Sequence, residues 1–391
     1  MSILLEIHIA CALAMLLATV SATSGSLSVF LACVALNTTQ PNRPYFCLPI
    51  VLCGAIGFIA SKGLDEILPG LGQLWGHALI SQVLHNTAVL YIDEWKLQSS
   101  NDRQGWDIRA AYKICVNPQL LGTHREVPHA RPVGTSPSRF AFLRRRLGQL
   151  LLLQMINEFV INPAFMLSFS PISADDFSPT KTVYFRRLLL GPPVTRFETM
   201  LRAAFSVRWI WDNYVGLCYA QTALAIFFSV ILRWDEPWEW RPFFGSPLEA
   251  WSMRRFWGRF WHRLVYRPYT TWGIWFSRKV LRIPPGSRGE QASVVMLVFL
   301  LSGAIHALVT WHATGCGYWG DIQWFLLNGF AVLGETILMK PLSRWLSTGK
   351  NGVTQGLWLR LAGYVWVLAF LFWSVPKWEY GKIHCGLSKV V

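Results

Sequence analysis

Charge is scarce in this chain. Of its 391 residues only 15% are Asp, Glu, Lys or Arg, against roughly 25% in soluble globular domains. A soluble protein must cover its surface with such residues, so the deficit excludes one large water-exposed globule. Metal and disulfide patterns are equally thin. Eight cysteines stand at positions 11, 33, 47, 53, 115, 218, 316 and 385, and no two form a CxxC pair. Several lie inside apolar runs, where Cys behaves as a small hydrophobe. That spacing argues against a disulfide framework and against a zinc site. The nine histidines contain no HExxH, and there is no HxxxD and no glycine-rich phosphate loop. A GxSxG nucleophile elbow is missing too. No internal repeat or low-complexity tract occurs.

Apolar and aromatic residues are what the chain has in quantity. Hydrophobic residues make up 53%, with 21 Trp and 24 Phe, and aromatic residues collect where membrane meets water. A spanning helix needs about 20 mostly apolar residues. Residues 3–20 qualify, interrupted only by Glu6 and His8. No basic segment precedes that run, so it reads as a span rather than a signal peptide. Apolar text resumes at 27–36 after a Ser/Thr/Gly break, and one tilted span or a tight hairpin would both fit. Further candidates are 47–61, 71–92, 147–168, 213–232, 290–312, 321–339 and 357–375. The expectation is an all-α integral membrane protein of about eight transmembrane helices, multi-pass, forming one domain over residues 1–391.

The formal net charge is +15. In a soluble protein this would suggest nucleic-acid binding; here the positive-inside rule accounts for it, and no nucleic-acid partner is expected. Loop 93–146 carries ten Lys or Arg and loop 233–289 carries eleven, while 169–212 has six and 313–320 none. Alternation puts the two richest loops on one side, with 340–356 (Lys340, Arg344, Lys350) beside them. That side is expected to be cytosolic and close to anionic lipid. Within the first of these loops, residues 106–121 place Ile108, Ala111, Tyr112 and Cys115 on one stripe, the pattern of a helix lying on a membrane. Residues 122–140, with Pro128, Pro132 and Pro137 among Ser, Thr and Gly, read as irregular linker.

Loop 233–289 holds the first chemically suggestive text. Ser246 and Glu249 form an S-x-x-E capping box with Pro247 at the first helical position. The pattern predicts a helix from 247 that stops before Pro268. Along it Met253, Phe256, Trp257, Phe260, Trp261 and Leu264 form an apolar stripe, with Arg255, Arg259, His262 and Arg263 on the other side. An interfacial helix bound to anionic lipid would carry such a face. So would the wall of a cavity for a phosphate-bearing cofactor, since the planar guanidinium offers paired donors. Charge and spacing do not choose between them. The second feature lies inside span 290–312: Ser302, His306 and Thr310 share one helical face, with Gly303 beside them allowing close approach. An ionisable residue in a span is costly and usually faces the protein interior or a wet cavity. A structural histidine is the plain alternative, but imidazole also suits proton transfer near neutral pH.

An aromatic-basic segment (FWGRFWH, 256–262) followed by an intramembrane SGxxH (302–306) resembles the membrane-bound O-acyltransferases. The similarity is closest to the wax-synthase-like branch, including fungal enzymes that acetylate terpenoid and meroterpenoid alcohols. It is specific over about 246–312 and general elsewhere. By position His306 matches the family's catalytic histidine, and His262 matches a second signature position that is Asn in plant wax synthases and sterol acyltransferases. Trp257, Gly258, Arg259 and Trp261 match signature positions that shape the cavity. The resemblance implies an acyl-CoA donor, acetyl-CoA in the fungal branch, reaching the site from the cytosol. It also implies a lipophilic alcohol acceptor entering from membrane lipid, no metal, and residence in the endoplasmic reticulum. His306 would be the base, and His262 would stabilise the oxyanion or hold the thioester. Arg255, Arg259 and Arg263 would meet the CoA phosphates, with Trp257 and Trp261 beside them. A long-chain wax-ester synthase is the alternative within the family. A transporter is the alternative outside it, disfavoured because the two halves show no similarity.

Overall fold

The structure, a computed structural model, describes residues 2–97, 106–126, 137–347 and 352–389. Among these residues the chain is all-helical. In order come α1 (Ser2–Asn37), α2 (Cys47–Ile59), α3 (Lys62–Ile67), α4 (Leu71–Thr87) and α5 (Ile108–Cys115). Next are α6 (Arg139–Ile156), α7 (Asn162–Phe169), α8 (Pro179–Thr182), α9 (Tyr184–Leu190) and α10 (Arg196–Ile226). The last five are α11 (Met253–Arg255), α12 (Tyr266–Lys279), α13 (Arg288–Ala313), α14 (Trp319–Ser347) and α15 (Gly352–Ser388).

Six helical stretches among the described residues are long and apolar enough to cross a membrane: His8–Asn37, Gln40–Ile67, Arg139–Phe169, Arg196–Ile231, Arg288–Ala313 and Leu357–Ser388. Two further stretches expected as spans lie within α4 and α14 and carry more polar side chains: Gln73, His77, Gln82, His85 and Asn86 in one, Asp321, Gln323, Asn328 and Glu335 in the other. Large apolar residues on the long helices face outward, as lipid requires; Leu151, Leu167 and Trp358 are 66%, 88% and 70% exposed.

The chain groups into two compact units, Met1–Leu120 with Leu264–Phe330, and Leu121–Arg263 with Ala331–Val391. In the first, α1 is one continuous helix, so the alternative of a hairpin within 3–36 is excluded. The Ser/Thr/Gly break does not break it because those hydroxyls find partners. Thr19 and Thr23 donate to carbonyls one turn back, both at 2.8 Å. Ser21 and Ser28 donate across to α2, to Gly57 O at 2.6 Å and Ile50 O at 2.8 Å. In a bilayer such hydroxyls hold helices together. Asp107 caps α5, accepting from Ala110 N at 2.8 Å. This helix is shorter than residues 106–121 suggested. Its Ala111, Ile114 and Cys115 are buried in a core with Ala32, Leu36 and Val89, so its apolar stripe meets protein, which corrects the expectation of a helix lying on a membrane. Arg267, in the first turn of α12, pairs with Asp93 at the start of loop 93–146.

The second unit shows how a broken helix is made good. Pro376 lies inside α15 and has no N–H to offer the carbonyl of Phe372 four residues back. Arg202, fully buried on α10, donates to that carbonyl at 2.9 Å and to Trp373 O at 2.9 Å. Its guanidinium also lies over the rings of Tyr184 and Phe372, at 5.1 and 5.5 Å. Two further expectations need correction. Helix α14 continues to Ser347 and α15 starts at Gly352, so most of the expected loop 340–356 is helical. The continuous helix expected from 247 to 267 is interrupted, after the short turn Pro247–Glu249 and again at Trp261. Residues 127–136 of the expected linker, and Lys350, lie outside the described residues.

Candidate active site

His306 sits near the C-terminal end of α13, whose start is fixed by Ser287 accepting from Glu290 N at 3.1 Å. One turn before the histidine, α14 comes close. A Cβ on Gly303 would stand 3.0 Å from both Ile322 Cα and Phe325 Cβ, so any larger residue would crowd that approach. The approach brings the Phe325 ring onto His306, stacked at 4.6 Å and 25°. On α4, His77 offers a second ring, its centroid 4.4 Å from that of His306. The two imidazoles are joined by a 3.1 Å contact between His77 Nε2 and His306 Nδ1. His77 Nδ1 lies 2.8 Å from Gln73 O.

The remaining polar residues of α4 continue this line. Gln73, His77, Ser81 and His85 recur every fourth residue, which puts them on one face. Ser81 Oγ meets Tyr269 OH at 3.0 Å, and His85 Nε2 lies 2.9 Å from Ile114 O. Tyr269 is buried on α12, and burial pushes its phenol well above the ordinary tyrosine range, with the Ser81 bond partly offsetting this. Sequence reading singled out His306 and passed over His77. The fourfold spacing of polar residues within 71–92 was the available signal.

The signature segment 246–263 belongs to the second unit. Pro247–Glu249 forms only a single tight turn, with Ser246 Oγ accepting from Leu248 N at 3.3 Å rather than from the position a capping box uses. The helix restarts at α11, where Ser252 accepts from Arg255 N at 3.1 Å. A carboxylate from α14 completes that start: Glu335 accepts from Met253 N at 2.6 Å and Arg254 N at 3.0 Å. The wider π-type turn Phe256–Phe260 follows, and the backbone is extended at Trp261. Gly245 N donates to Phe260 O at 2.8 Å, and a Cβ on Gly245 would be 1.9 Å from Arg259 O. A continuous helix through 256–263 could not make that contact.

Within the segment the aromatic residues form a stack. Trp261 lies between Trp209, at 5.0 Å and 11°, and Phe256, at 5.4 Å and 21°. Trp257 meets Trp261 edge-on at 5.6 Å. Next to this stack His262 stands edge-on to Phe244 at 6.0 Å. Trp209 also lines a cavity of about 290 Å³ with Phe165, Phe177, Phe205, Arg208 and Asp212. The arginines are tied down locally. Arg255 and Arg259 share Glu249, the second at 3.1 Å, and Arg255 also lies 4.3 Å over the Trp251 ring. Partial desolvation pushes the Glu249 carboxyl up. The Arg259 hydrogen bond and the charge of Arg255 more than reverse this and hold it below its ordinary range. Two guanidiniums on one carboxylate leave the cluster positive. Arg263 donates to Gly258 O. His306 therefore belongs to the first unit, and His262, Arg255, Arg259, Arg263, Trp257 and Trp261 to the second.

Comparison with known proteins fits these segments. Residues 240–327 match the Membrane bound O-acyl transferase family, a stretch that contains both His262 and His306. The chain carries this family's segment, and the resemblance drawn from FWGRFWH and SGxxH is borne out. The chain is 30% identical to acetyltransferase ple2 of Rhodocybe pseudopiperita over 48% of each protein. It is 32% identical to acetyltransferase atnC of an Arthrinium species, over 47% of this chain and 42% of that one. With acetyltransferase ataH of Aspergillus terreus the identity is 28%, over 70% of this chain and 88% of the relative. The chain thus spans about half the length of the first two of these relatives or less. No solved structure matches it.

Proposed function

We propose that this protein is an acyl-CoA-dependent O-acyltransferase that moves an acetyl group from acetyl-CoA to a hydroxyl of a terpenoid-type metabolite. The observation that carries the reading is His306: a titratable ring on a long apolar helix, inside the family-matched segment, backed by a second imidazole at 3.1 Å. The relatives' names, all acetyltransferases, favour a two-carbon donor over a long-chain one. The whole chain would act as one catalytic domain in the endoplasmic reticulum, with the basic loops on the cytosolic side.

In this reading the acceptor hydroxyl attacks the thioester carbonyl carbon while His306 takes its proton. The tetrahedral intermediate collapses with departure of the CoA thiolate, which the proton on His306 can neutralise. His262 would donate a hydrogen bond to the oxyanion, the place where such donors have most effect. Arg255, Arg259 and Arg263 would attract the CoA phosphates. Trp257 and Trp261 would shape the wall beside them. The test measures CoA release by purified protein given acetyl-CoA or a long-chain acyl-CoA and a terpenoid alcohol, for wild type and His306→Ala. Acetyl-CoA should be the preferred donor. Removal of a general base should lower the rate by about 10²–10⁴. A folded His306→Ala variant that keeps more than half its activity overturns the assignment.

A further inference from the structure

His306 is the last of a chain of three groups, Gln73 O, His77 and His306, with His77 in the middle. Gln73 O is a carbonyl and can only accept, so the 2.8 Å contact to His77 Nδ1 requires a proton on that nitrogen. In a neutral imidazole the other nitrogen is then an acceptor. His77 Nε2 is that nitrogen, and it lies 3.1 Å from His306 Nδ1. With both rings neutral, the proton between them sits on His306 Nδ1, and the basic lone pair of His306 is then the one on Nε2.

We propose that His77 is the positioning residue of the active site. It accepts a hydrogen bond from His306 Nδ1–H, fixes the tautomer in which Nε2 is the base, and stabilises the imidazolium that forms when Nε2 takes the acceptor's proton. The inference rests on the reading of His306 as the base. Three features hold the arrangement. His77 is on α4, one helical turn from its own anchor Gln73. Phe325 stacks on His306 at 4.6 Å and restrains its rotation. Gly303 admits α14 closely enough for that stack to form. An orienting partner on the far nitrogen is the general means of setting a histidine's tautomer. Here a neutral imidazole tied to a main-chain carbonyl would fill that role, which suits an apolar helix better than a buried carboxylate would.

Two measurements test this. The first uses the wild-type protein labelled with ¹⁵N-histidine, with His306 assigned by loss of its signals in His306→Ala. His306 should carry its proton on Nδ1, with scalar coupling across the hydrogen bond to His77 Nε2. A neutral His306 protonated on Nε2 overturns the proposal whatever the protein's activity is. The second compares His77→Phe, which keeps the ring and loses the acceptor, with His77→Gln, whose amide oxygen can still accept. Loss of a hydrogen bond to a group that becomes charged should lower kcat on the order of 10- to 100-fold in His77→Phe. KM for donor and acceptor should be unchanged, and His77→Gln should recover most of the rate. If His306→Ala is inactive while His77→Phe turns over like wild type, the role of His77 is refuted and that of His306 stands. If His306→Ala is active, the reading of His306 fails instead, and the labelled spectrum still decides the tautomer.

Discussion

Glu335 offers a sharp test of how the signature segment is held. It lies on α14, where a carboxylate is costly unless partnered, and three donors converge on it. Met253 N and Arg254 N reach it at 2.6 and 3.0 Å, and Trp366 Nε1 at 2.6 Å. Met253 is fully buried, whereas Trp366 is 45% exposed. In Glu335→Ala the Met253 N–H loses its acceptor in a buried place, at about 1–3 kcal/mol, and the two more exposed donors add less. The sum is about 2–4 kcal/mol. Glu335→Gln keeps an acceptor oxygen and loses only the charge assistance, about 1 kcal/mol. Thermal unfolding of detergent-purified protein should read this out as a drop of roughly 2–5 °C for Ala and about 1 °C for Gln. Activity should fall in the same order, because His262 follows directly on the segment that Glu335 anchors. A Glu335→Ala variant that melts and turns over with the wild type would show that α11 starts without this cap, and the reasoning would be refuted.

Further outcomes are expected at His262 and at the arginine cluster. His262→Asn should retain more activity than His262→Ala, since Asn keeps a donor and an acceptor near the same place; equal inactivity in steady-state assays would point to proton transfer by His262 itself. Arg255→Ala and Arg259→Ala should each raise the KM for acyl-CoA, less so in high salt because exposed charges are screened. Glu249→Gln, which removes the carboxylate charge that both guanidiniums share, should lower that KM. The Glu249 carboxyl is held below its ordinary range by the two arginines. Its ion pairs therefore contribute stability above the unfolded carboxylate range and lose it as pH falls through the depressed folded value. An acid titration of donor binding follows this. Loss of kcat with donor KM unchanged in the arginine variants would assign them a structural or oxyanion role instead.

The segment that matches the family model, and the candidate base within it, were legible because each left a local mark. A titratable ring in an apolar run is conspicuous in one dimension, and so is FWGRFWH. The six long apolar helices were legible for the same reason: lipid imposes composition on every residue of a span. Polar helices escape that rule. The stretches 71–92 and 321–339 are apolar enough to pass for ordinary spans, and nothing local marks what their polar residues meet. Yet α4 supplies His77, which meets His306 across 229 positions of sequence, and α14 supplies Phe325 and Glu335.

Residues 247–267 show the opposite failure. Ser246, Pro247 and Glu249 are sound local signals for a helix. Tertiary contacts overrode them: Glu335 caps a restart at Met253, 82 positions away, and Gly245 closes on Phe260. The Ser/Thr/Gly break in α1 was resolved likewise, by hydroxyls donating to α2 across 36 and 22 positions. The sequence by itself determined membrane composition, the family resemblance of one segment and the catalytic candidate, since these depend on residue identity and near-neighbour spacing. Only the tertiary structure decided where helices start and stop, which imidazole faces His306, and which charges are already paired. Each of those depends on where a donor finds its acceptor, and a hydrogen bond joins atoms that are close in space whatever their separation along the chain.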